Sequence, residues 1–245
     1  MPDFHQYEVL SFDCYGTLID WESGILGALR SILRSHGLDR EMRDEKILEL
    51  YAELEAQAEQ GEEGRPKPKY REVLREVVRG FGGRLGFLPT PDELNSLVDS
   101  LPHWRPFPDT VEGLRILKEK GGFKLAIISN VDDDLFASSA RHLEVEFDWV
   151  ITAEQAGWYK PSPEIFRFAL RRIGLPKEKI LHVAQSIYHD ILPAKGLGLA
   201  TVWVNRSKGR EGLGATPRVQ IQGHTRPDLE VPDLRELVSL MGLEL

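Results

Sequence analysis

The pattern of apolar and polar residues divides the chain into a helical part and a part where strands and helices alternate. Between about residues 20 and 104, apolar residues recur at the spacing of amphipathic helices, with no clear strand among them. The spacing predicts four helices, with apolar positions at Ile25, Leu26, Leu29, Ile32 and Leu33, then Ile47, Leu50, Tyr51 and Leu54, then Tyr70, Val73, Leu74, Val77, Val78 and Phe81, and finally Leu94, Leu97, Val98 and Leu101. Thr90-Pro91-Asp92-Glu93 predicts a capping box with proline in the first turn at the start of the fourth helix.

Outside this region, short apolar runs predict strands at residues 7–12, 125–128, 149–152, 180–183 and 200–204, with helices between the last four. Such alternation is typical of a parallel sheet covered by helices on both faces. We therefore predict an α/β fold with a Rossmann-like parallel-sheet core, formed by residues 1–19 and 105–245. Residues 20–104 are predicted to form an inserted, all-helical cap domain.

Composition excludes several classes of partner. The chain has 245 residues and a net charge of −8, and no basic stripe, so we do not expect it to bind nucleic acid. Its single cysteine, Cys14, permits no intrachain disulfide, which fits a reducing compartment. The chain shows neither a signal-peptide pattern nor an apolar window of membrane-spanning length. We therefore expect a cytoplasmic protein with no membrane partner.

Residues with useful chemistry follow four of the predicted strands. Asp13 follows the first strand, Ser129 and Asn130 end the second, Lys160 comes after the third and Asp190 after the fourth. In open parallel sheets, active sites lie at the carboxyl ends of the strands, so we expect these side chains to meet there.

This set predicts nucleophilic catalysis by a carboxylate. Asp13 can attack an electrophilic carbon if it stays ionised, and a nearby Lys160 ammonium favours the ionised form. Asp190 is expected to position Lys160 or to help deprotonate water. His189 is a candidate to share that proton transfer.

Substrate contacts are expected from residues in the same segments. The backbone amides of Gly16 and Thr17 are candidates to bind an anion, and Ser129 and Asn130 offer donors to a carboxylate or a departing anion. The remaining candidates are Tyr15, as a pocket wall, with Ser186 and Tyr188. For Trp21, Tyr51 and Trp158, a place in the pocket wall and ordinary packing both stay open.

The four segments, in this order, resemble the four motifs of the haloacid dehalogenase superfamily, over essentially the whole chain. Asp13-Cys14-Tyr15-Gly16-Thr17-Leu18 resembles the 2-haloacid dehalogenase branch, as does Trp203-Val204-Asn205-Arg206. Tyr188-His189-Asp190 is also similar to azetidine-2-carboxylate hydrolase. The resemblance implies a hydrolase that forms a covalent ester on Asp13.

Two departures bear on the reaction. Phosphatases of the superfamily carry a second Asp two residues after the nucleophile, where this chain has Tyr15. They also bind Mg²⁺ through an acidic residue at the position of Gln185. We therefore expect no cofactor and do not expect Mg²⁺ to be required, and phosphatase activity is not favoured.

Halide leaves as a stable anion and needs little protonation, which favours a small 2-haloacid as substrate. Against this, related dehalogenases carry a cap arginine near the position of Tyr51-Ala52, where this chain has none. Arg43, Arg65 and Arg71 are open as substitutes. A hydrolase that opens a C–N ring is the alternative, with His189 or Tyr15 as proton donor, and a non-catalytic binding module is the third class. Apolar faces on the cap helices suggest a homodimer.

Overall fold

The computed structural model describes residues 3–61, 66–206, 215, 223 and 226–244. Six parallel strands form one sheet in the order β3-β2-β1-β4-β5-β6. The strands are β1 (Val9–Phe12), β2 (Lys124–Ser129), β3 (Trp149–Thr152), β4 (Ile180–Ala184), β5 (Ala200–Val204) and β6 (Leu229–Val231). The predicted α/β class with a parallel sheet is confirmed.

The strand order reverses beside β1. The chain passes from β1 to β2 and β3 on one side, and then returns to β4, β5 and β6 on the other. All four residues of β1 are buried, because both neighbours and both faces are covered. The carboxyl ends of β1, β2 and β4 are therefore adjacent at the reversal point, where such sheets bind their ligands.

A helical insertion separates β1 from β2, as predicted. It comprises α1 (Trp21–Ser35), α2 (Asp44–Gln60), α3 (Tyr70–Leu85) and α4 (Pro91–Ser100). The predicted apolar positions account for most of their buried faces. The capping box is also confirmed, because Thr90 accepts from the Glu93 amide and Glu93 accepts from the Thr90 amide. The domain boundaries at residues 19–20 and 104–105 and the homodimer stay predictions.

The chain segments that enter and leave the helical insertion are hydrogen-bonded to each other. Ile19 forms an isolated antiparallel bridge with Pro106. The Asp20 amide donates to the Arg105 carbonyl at 2.8 Å, and the Phe107 amide donates to the Leu18 carbonyl at 3.0 Å.

The remaining helices are α5 (Thr110–Glu119), α6 (Asp133–Leu143), α7 (Ala153–Ala156), α8 (Pro163–Ile173), α9 (Leu192–Gly196) and α10 (Leu234–Leu240). Strand β6 and helices α7 and α10 were not predicted. Three residues of β6 and four of α7 are too few for a periodic signal. Within the described residues, no helix has the length and apolar character needed to cross a bilayer.

Asp132 joins the helical insertion to the sheet. It follows β2, is 1% exposed, and accepts hydrogen bonds from the amides of Tyr70 and Arg71 at 2.8 and 3.1 Å. The Arg71 guanidinium also donates to it at 3.1 Å. Because the first turn of a helix has amides without partners inside the helix, a carboxylate there stabilises α3 and holds it against the core.

We predict that Asp132→Ala lowers the free energy of unfolding by about 1–3 kcal/mol, because it leaves buried donors without an acceptor. Urea denaturation measures the change. The control is Asp134→Ala, since Asp134 also pairs with Arg71 but its side chain is 68% exposed. That variant should lose less than about 1 kcal/mol, and equal losses for the two variants would contradict the assigned role.

Candidate active site

Asp13 lies directly after the central strand β1 and lines a cleft at its carboxyl end. Its amide donates to the Val183 carbonyl of β4 at 3.1 Å, which continues the strand pairing and fixes the backbone. One carboxylate oxygen accepts from the Lys160 ammonium at 2.8 Å, and the other accepts from the Thr17 hydroxyl at 2.7 Å. Both oxygens are thus oriented by donors.

Lys160 lies between two carboxylates. Its side chain is 2% exposed, and its Nζ donates to Asp13 and Asp190, each at 2.8 Å, and to the Ile128 carbonyl at 3.0 Å. Asn130 holds its backbone, because the amide of Lys160 donates to Asn130 at 2.7 Å and Asn130 donates to the Lys160 carbonyl at 3.0 Å. Asn130, expected to contact substrate, is therefore engaged in positioning Lys160.

The charges of this trio determine its protonation. Burial raises the pKa of Asp13 and the Asp190 charge adds to the rise, while the Lys160 ammonium opposes it. Burial alone would lower the pKa of Lys160, but the two carboxylates outweigh burial and raise it. Burial would likewise raise the pKa of Asp190, but Lys160 and His182 outweigh it and the pKa is lowered. Lys160 is therefore a permanent cation here.

His182 is a site residue that the sequence analysis did not identify. It lies within β4, is fully buried, and its Nε2 is 3.0 Å from Oδ1 of Asp190. Its Nδ1 is 3.0 Å from the Ser11 hydroxyl of β1. Ser11, His182, Asp190 and Lys160 therefore form one buried chain of polar contacts. The sequence did contain a signal for His182, because a histidine within an apolar strand is buried and its imidazole then needs polar partners.

His189 and Ser186 line the cleft beside Asp190. The Ser186 hydroxyl accepts from the His189 amide at 2.9 Å and lies 3.2 Å from its Nδ1. Burial lowers the pKa of His189 to about 4, with the Lys160 ammonium assisting and the Asp190 charge opposing. The imidazole is therefore neutral at neutral pH, and acts as a hydrogen-bonding group rather than as a cation.

Gly16 and Thr17 both contact other groups of the protein, and anion binding by the Thr17 amide stays a prediction. The Gly16 amide donates to the Ile19 carbonyl at 2.8 Å, so it is used within the turn and not offered to an anion. Its φ of +91° suits glycine, and a side chain there would approach Trp21 Nε1 to 2.9 Å. The hydroxyl of Thr17 is buried between Asp13 and the amide of Gln185, from which it accepts at 2.9 Å. Neither residue is among the described residues that line the cleft.

The ion pair of Arg206 and Asp109 stabilises the turn that contains Gly16 and Thr17. The Arg206 guanidinium donates to the Thr17 carbonyl at 2.7 and 2.9 Å and to both carboxylate oxygens of Asp109. Asp109 also accepts from the Leu234 amide, which ties the turn to α10.

The cleft beside Asp13 is lined by residues of both the sheet edge and the helical insertion. Its described lining residues are Asp13, Tyr15, Trp21, Glu55, Glu59, Tyr70, Ser129, Asn130, Val131, Lys160, Gln185, Ser186, His189 and Asp190. Tyr15 lies in the wall as expected, but its hydroxyl is 2.8 Å from the Ser139 hydroxyl, which occupies it. The Ser129 hydroxyl is buried and has no hydrogen-bond partner in the described structure.

Of the other aromatic candidates, some line the cleft and others lie outside it. Trp21 lines the cleft, whereas Tyr51 lies behind it with its hydroxyl on Glu55 at 2.9 Å. Trp158 is 47% exposed. The ring of Tyr188 packs edge-on against His189 at 4.9 Å, and Tyr188 is not among the described lining residues. Cys14 is fully buried in the core.

Two acidic residues from the cap were also missed. Glu55 and Glu59 of α2 line the cleft, and Glu59 accepts a hydrogen bond from Asn130 at 3.2 Å. The sequence did contain a signal for this pair, because residues four positions apart on a helix lie on the same face.

Of the three arginines considered as substitutes for the missing cap arginine, Arg43 and Arg71 are described, and neither lines the cleft. Arg43 is exposed, and Arg71 pairs with Asp132 and Asp134. Arg65 lies outside the described residues.

The donor set does not fit the magnesium site of the phosphatases. Lys160 and Thr17 hold the two oxygens of Asp13, residue 15 is tyrosine, and residue 185 offers an amide where those enzymes use a carboxylate. In the described part of the chain, no three His, Cys, Asp or Glu side chains are grouped to hold a metal ion. We therefore derive no step through a metal.

Comparison with known families is decisive for the class of protein. Residues 7–198 match the family model described as haloacid dehalogenase-like hydrolase. The chain belongs to this family. The predicted superfamily and the hydrolase class are thus confirmed, and Asp13, Lys160 and Asp190 lie within the matched region.

Relatives in the haloacid dehalogenase-like family differ in reaction. An (S)-2-haloacid dehalogenase from Pseudomonas fluorescens is 28% identical over 211 residues, covering 84% of this chain and 88% of the relative. A glyceraldehyde 3-phosphate phosphatase from Methanopyrus kandleri is 29% identical over 224 residues, covering 87% and 86%. The comparisons therefore leave the substrate open.

The fold is shared with a solved L-2-haloacid dehalogenase from Xanthobacter autotrophicus with chloropropionic acid covalently bound. The two structures superpose with a TM-score of 0.76 at 22% identity, covering 96% of this chain and 98% of the other.

The pKa of His189 predicts a pH dependence of stability. The folded chain binds a proton at this ring only near pH 4, whereas the unfolded chain binds one near pH 6.5. The unfolded state therefore holds more protons between these values, and the free energy of unfolding falls as pH is lowered from about 6.5 to 4.

We expect His189→Gln to flatten this fall, as measured by urea denaturation at pH 6.5, 5.5 and 4.5. His5→Gln, which removes an exposed imidazole, is the control for loss of a histidine as such. An unchanged slope in His189→Gln would show that this ring accepts a proton as readily when folded.

Proposed function

We propose that this hydrolase displaces a leaving group from carbon in a small 2-substituted carboxylic acid, through an ester on Asp13. The observation that carries the proposal is the Asp13 carboxylate at the cleft, oriented by Lys160 at 2.8 Å and Thr17 at 2.7 Å. A carboxylate held in one orientation meets the geometric demand of attack at carbon, and the neighbouring ammonium favours its charged form.

The reaction takes two steps. An oxygen of Asp13 attacks the substrate carbon, a C–O bond forms, and the leaving group departs with the electron pair of the broken bond. Water then adds to the carbonyl carbon of the ester and gives up a proton. Collapse of this adduct releases the 2-hydroxy acid and regenerates Asp13, so that a 2-haloacid and water yield a hydroxy acid, halide and a proton.

Asp190 is the group that we assign to the water. One of its oxygens is held by Lys160 and His182 at 2.8 and 3.0 Å, and the other is buried without a partner in the described structure. That second oxygen is an acceptor for the attacking water. His189 contributes a neutral ring beside it rather than an acid, because its pKa lies near 4.

Dehalogenation of 2-haloacids is the reaction that the relatives support first. Several relatives named 2-haloacid dehalogenases cover most of this chain at 27–29% identity. Halide departs as a stable anion, so displacement needs only the oriented carboxylate and polar groups near the departing ion. The buried Ser129 hydroxyl offers one such donor.

Opening of a C–N ring, as in azetidine-2-carboxylate hydrolysis, is the second candidate. The observation that favours it is the lining of the cleft, where the described cap residues include Glu55 and Glu59 but no arginine. Phosphatase activity is not proposed, because the donor set does not fit its metal.

The ester mechanism predicts where oxygen from water first appears. In a single turnover in ¹⁸O-water with excess enzyme and (S)-2-chloropropionate, the peptide containing Asp13 should gain ¹⁸O while the product keeps unlabelled oxygen. Mass spectrometry of the peptide and of the product measures the ¹⁸O content of each. Label in the product alone would mean direct attack by water and would refute the proposal.

Asp13→Asn is the matched control, because it preserves shape and removes the nucleophile. We expect it to lower halide release by about a thousandfold or more and to take up no label. Circular dichroism should show that this variant is folded.

A further inference from the structure

Two acidic side chains of the cap, Glu55 and Glu59, line the cleft. Glu55 is 6% exposed, and one of its oxygens accepts from the hydroxyls of Tyr51 and Tyr70 at 2.9 and 2.5 Å. Glu59, one turn further along α2, is held by Asn130 at 3.2 Å. Neither forms a salt bridge with any described residue.

Acidic groups outnumber basic groups in the described lining of the cleft. Its described lining includes the carboxyl groups of Asp13, Asp190, Glu55 and Glu59, but only one cationic side chain, Lys160. That ammonium is already bonded to both aspartates at 2.8 Å. A buried carboxylate is costly unless it takes up a proton or meets a cation or several donors, so a cationic occupant would stabilise the charged form of the cap pair.

An independent observation points to a ligand in the same cleft. The Ser129 hydroxyl is 1% exposed and has no partner in the described structure, although Ser129 lines the cleft together with Glu59. Buried hydroxyls are nearly always hydrogen-bonded, so this group is available to a substrate. Trp21 and Tyr70 contribute aromatic rings to the wall of the cleft, and aromatic rings attract cations.

We propose that Glu55 and Glu59 form an ammonium-binding subsite, so that the preferred substrates carry an amino group close to the carbon that Asp13 attacks. This inference rests on the proposed function, whose substrate class it narrows to small amino acids. The ammonium donates hydrogen bonds to the cap carboxyl groups, and its charge favours their ionised form.

The protonation of the pair fits this role. Burial raises the pKa of Glu55 to about 7. Burial also raises the pKa of Glu59 well above its usual value, and the Glu55 charge adds to the rise, while the Lys160 and Lys67 charges oppose it. Near neutral pH, Glu55 can therefore either accept a hydrogen bond from an ammonium or donate a proton to an amine.

The amine has two possible fates, which share the same subsite. If the nitrogen is the leaving group, the C–N bond breaks with its electron pair on nitrogen, which takes a proton from Glu55, and water then hydrolyses the ester and restores that proton. If the nitrogen stays bound to the substrate, another group leaves and the amine serves only for recognition. Azetidine-2-carboxylate tests the first through its open-chain hydroxy amino acid product, and 3-amino-2-chloropropionate tests the second through chloride.

The binding test uses two unstrained rings that differ by the ammonium alone. Isothermal titration of the full chain at pH 7 should show that L-proline binds at least about tenfold more tightly than cyclopentanecarboxylate, as expected for hydrogen bonds to charged groups. The ligands share ring size and carboxylate, so their ratio isolates the amine.

Glu59→Gln should reduce this preference about tenfold or more, and Glu55→Gln should do the same. Glu59 is the safer variant, since its side chain is only half-buried. The control is Glu53→Gln on the same helix, because Glu53 is exposed and pairs with Arg84, outside the cleft. It should leave the preference as in wild type.

The outcomes separate the two proposals. Equal binding of the two rings, or a preference that survives Glu59→Gln, overturns the subsite even if ¹⁸O enters Asp13 from a 2-haloacid. A preference that Glu59→Gln abolishes supports the subsite, even if no substrate labels Asp13 and the ester mechanism fails.

Discussion

A single buried ammonium holds this site together. Lys160 bonds to Asp13 after β1, to Asp190 after β4 and to the Ile128 carbonyl of β2. Three adjacent strands are thus joined at their carboxyl ends by one charge. Breaking a buried pair of this kind costs about 3–5 kcal/mol, because the partner is left charged and unsolvated. The geometry of the nucleophile and the local stability of the sheet edge therefore depend on the same contacts.

The groups around this trio support it from behind. Asn130 fixes the backbone of Lys160, His182 and Ser11 fix Asp190, and Thr17 fixes the second oxygen of Asp13. Asn130 and Thr17, which were predicted to contact the substrate, thus also hold other side chains of the site. What is left for the substrate is the inner surface of the cleft, with the Ser129 hydroxyl, the neutral His189 ring and the cap carboxyl groups.

The cap gives this member of the haloacid dehalogenase-like family its own chemical character. An arginine in the cap suits a departing halide, whereas Glu55 and Glu59 suit a group that carries or acquires a positive charge. In the proposed mechanism, Asp13 determines how a bond to carbon is exchanged, and the cap residues determine which leaving group or recognition group is accepted.

The sequence alone determined the fold class, five of the six strands, the helical insertion and the positions of Asp13, Asn130, Lys160 and Asp190 at or after the carboxyl ends of successive strands. These follow from local periodicity and from the rule that parallel strands present their carboxyl ends together. Only the tertiary structure decided that Gly16 and Thr17 face the turn rather than the cleft, and that His182 supports Asp190. It also decided that α2 turns Glu55 and Glu59 toward the nucleophile while Arg71 turns to Asp132. Those outcomes depend on which face of a helix or strand packs against an element that is distant in the sequence. The spacing of residues within one element does not indicate which distant element that will be.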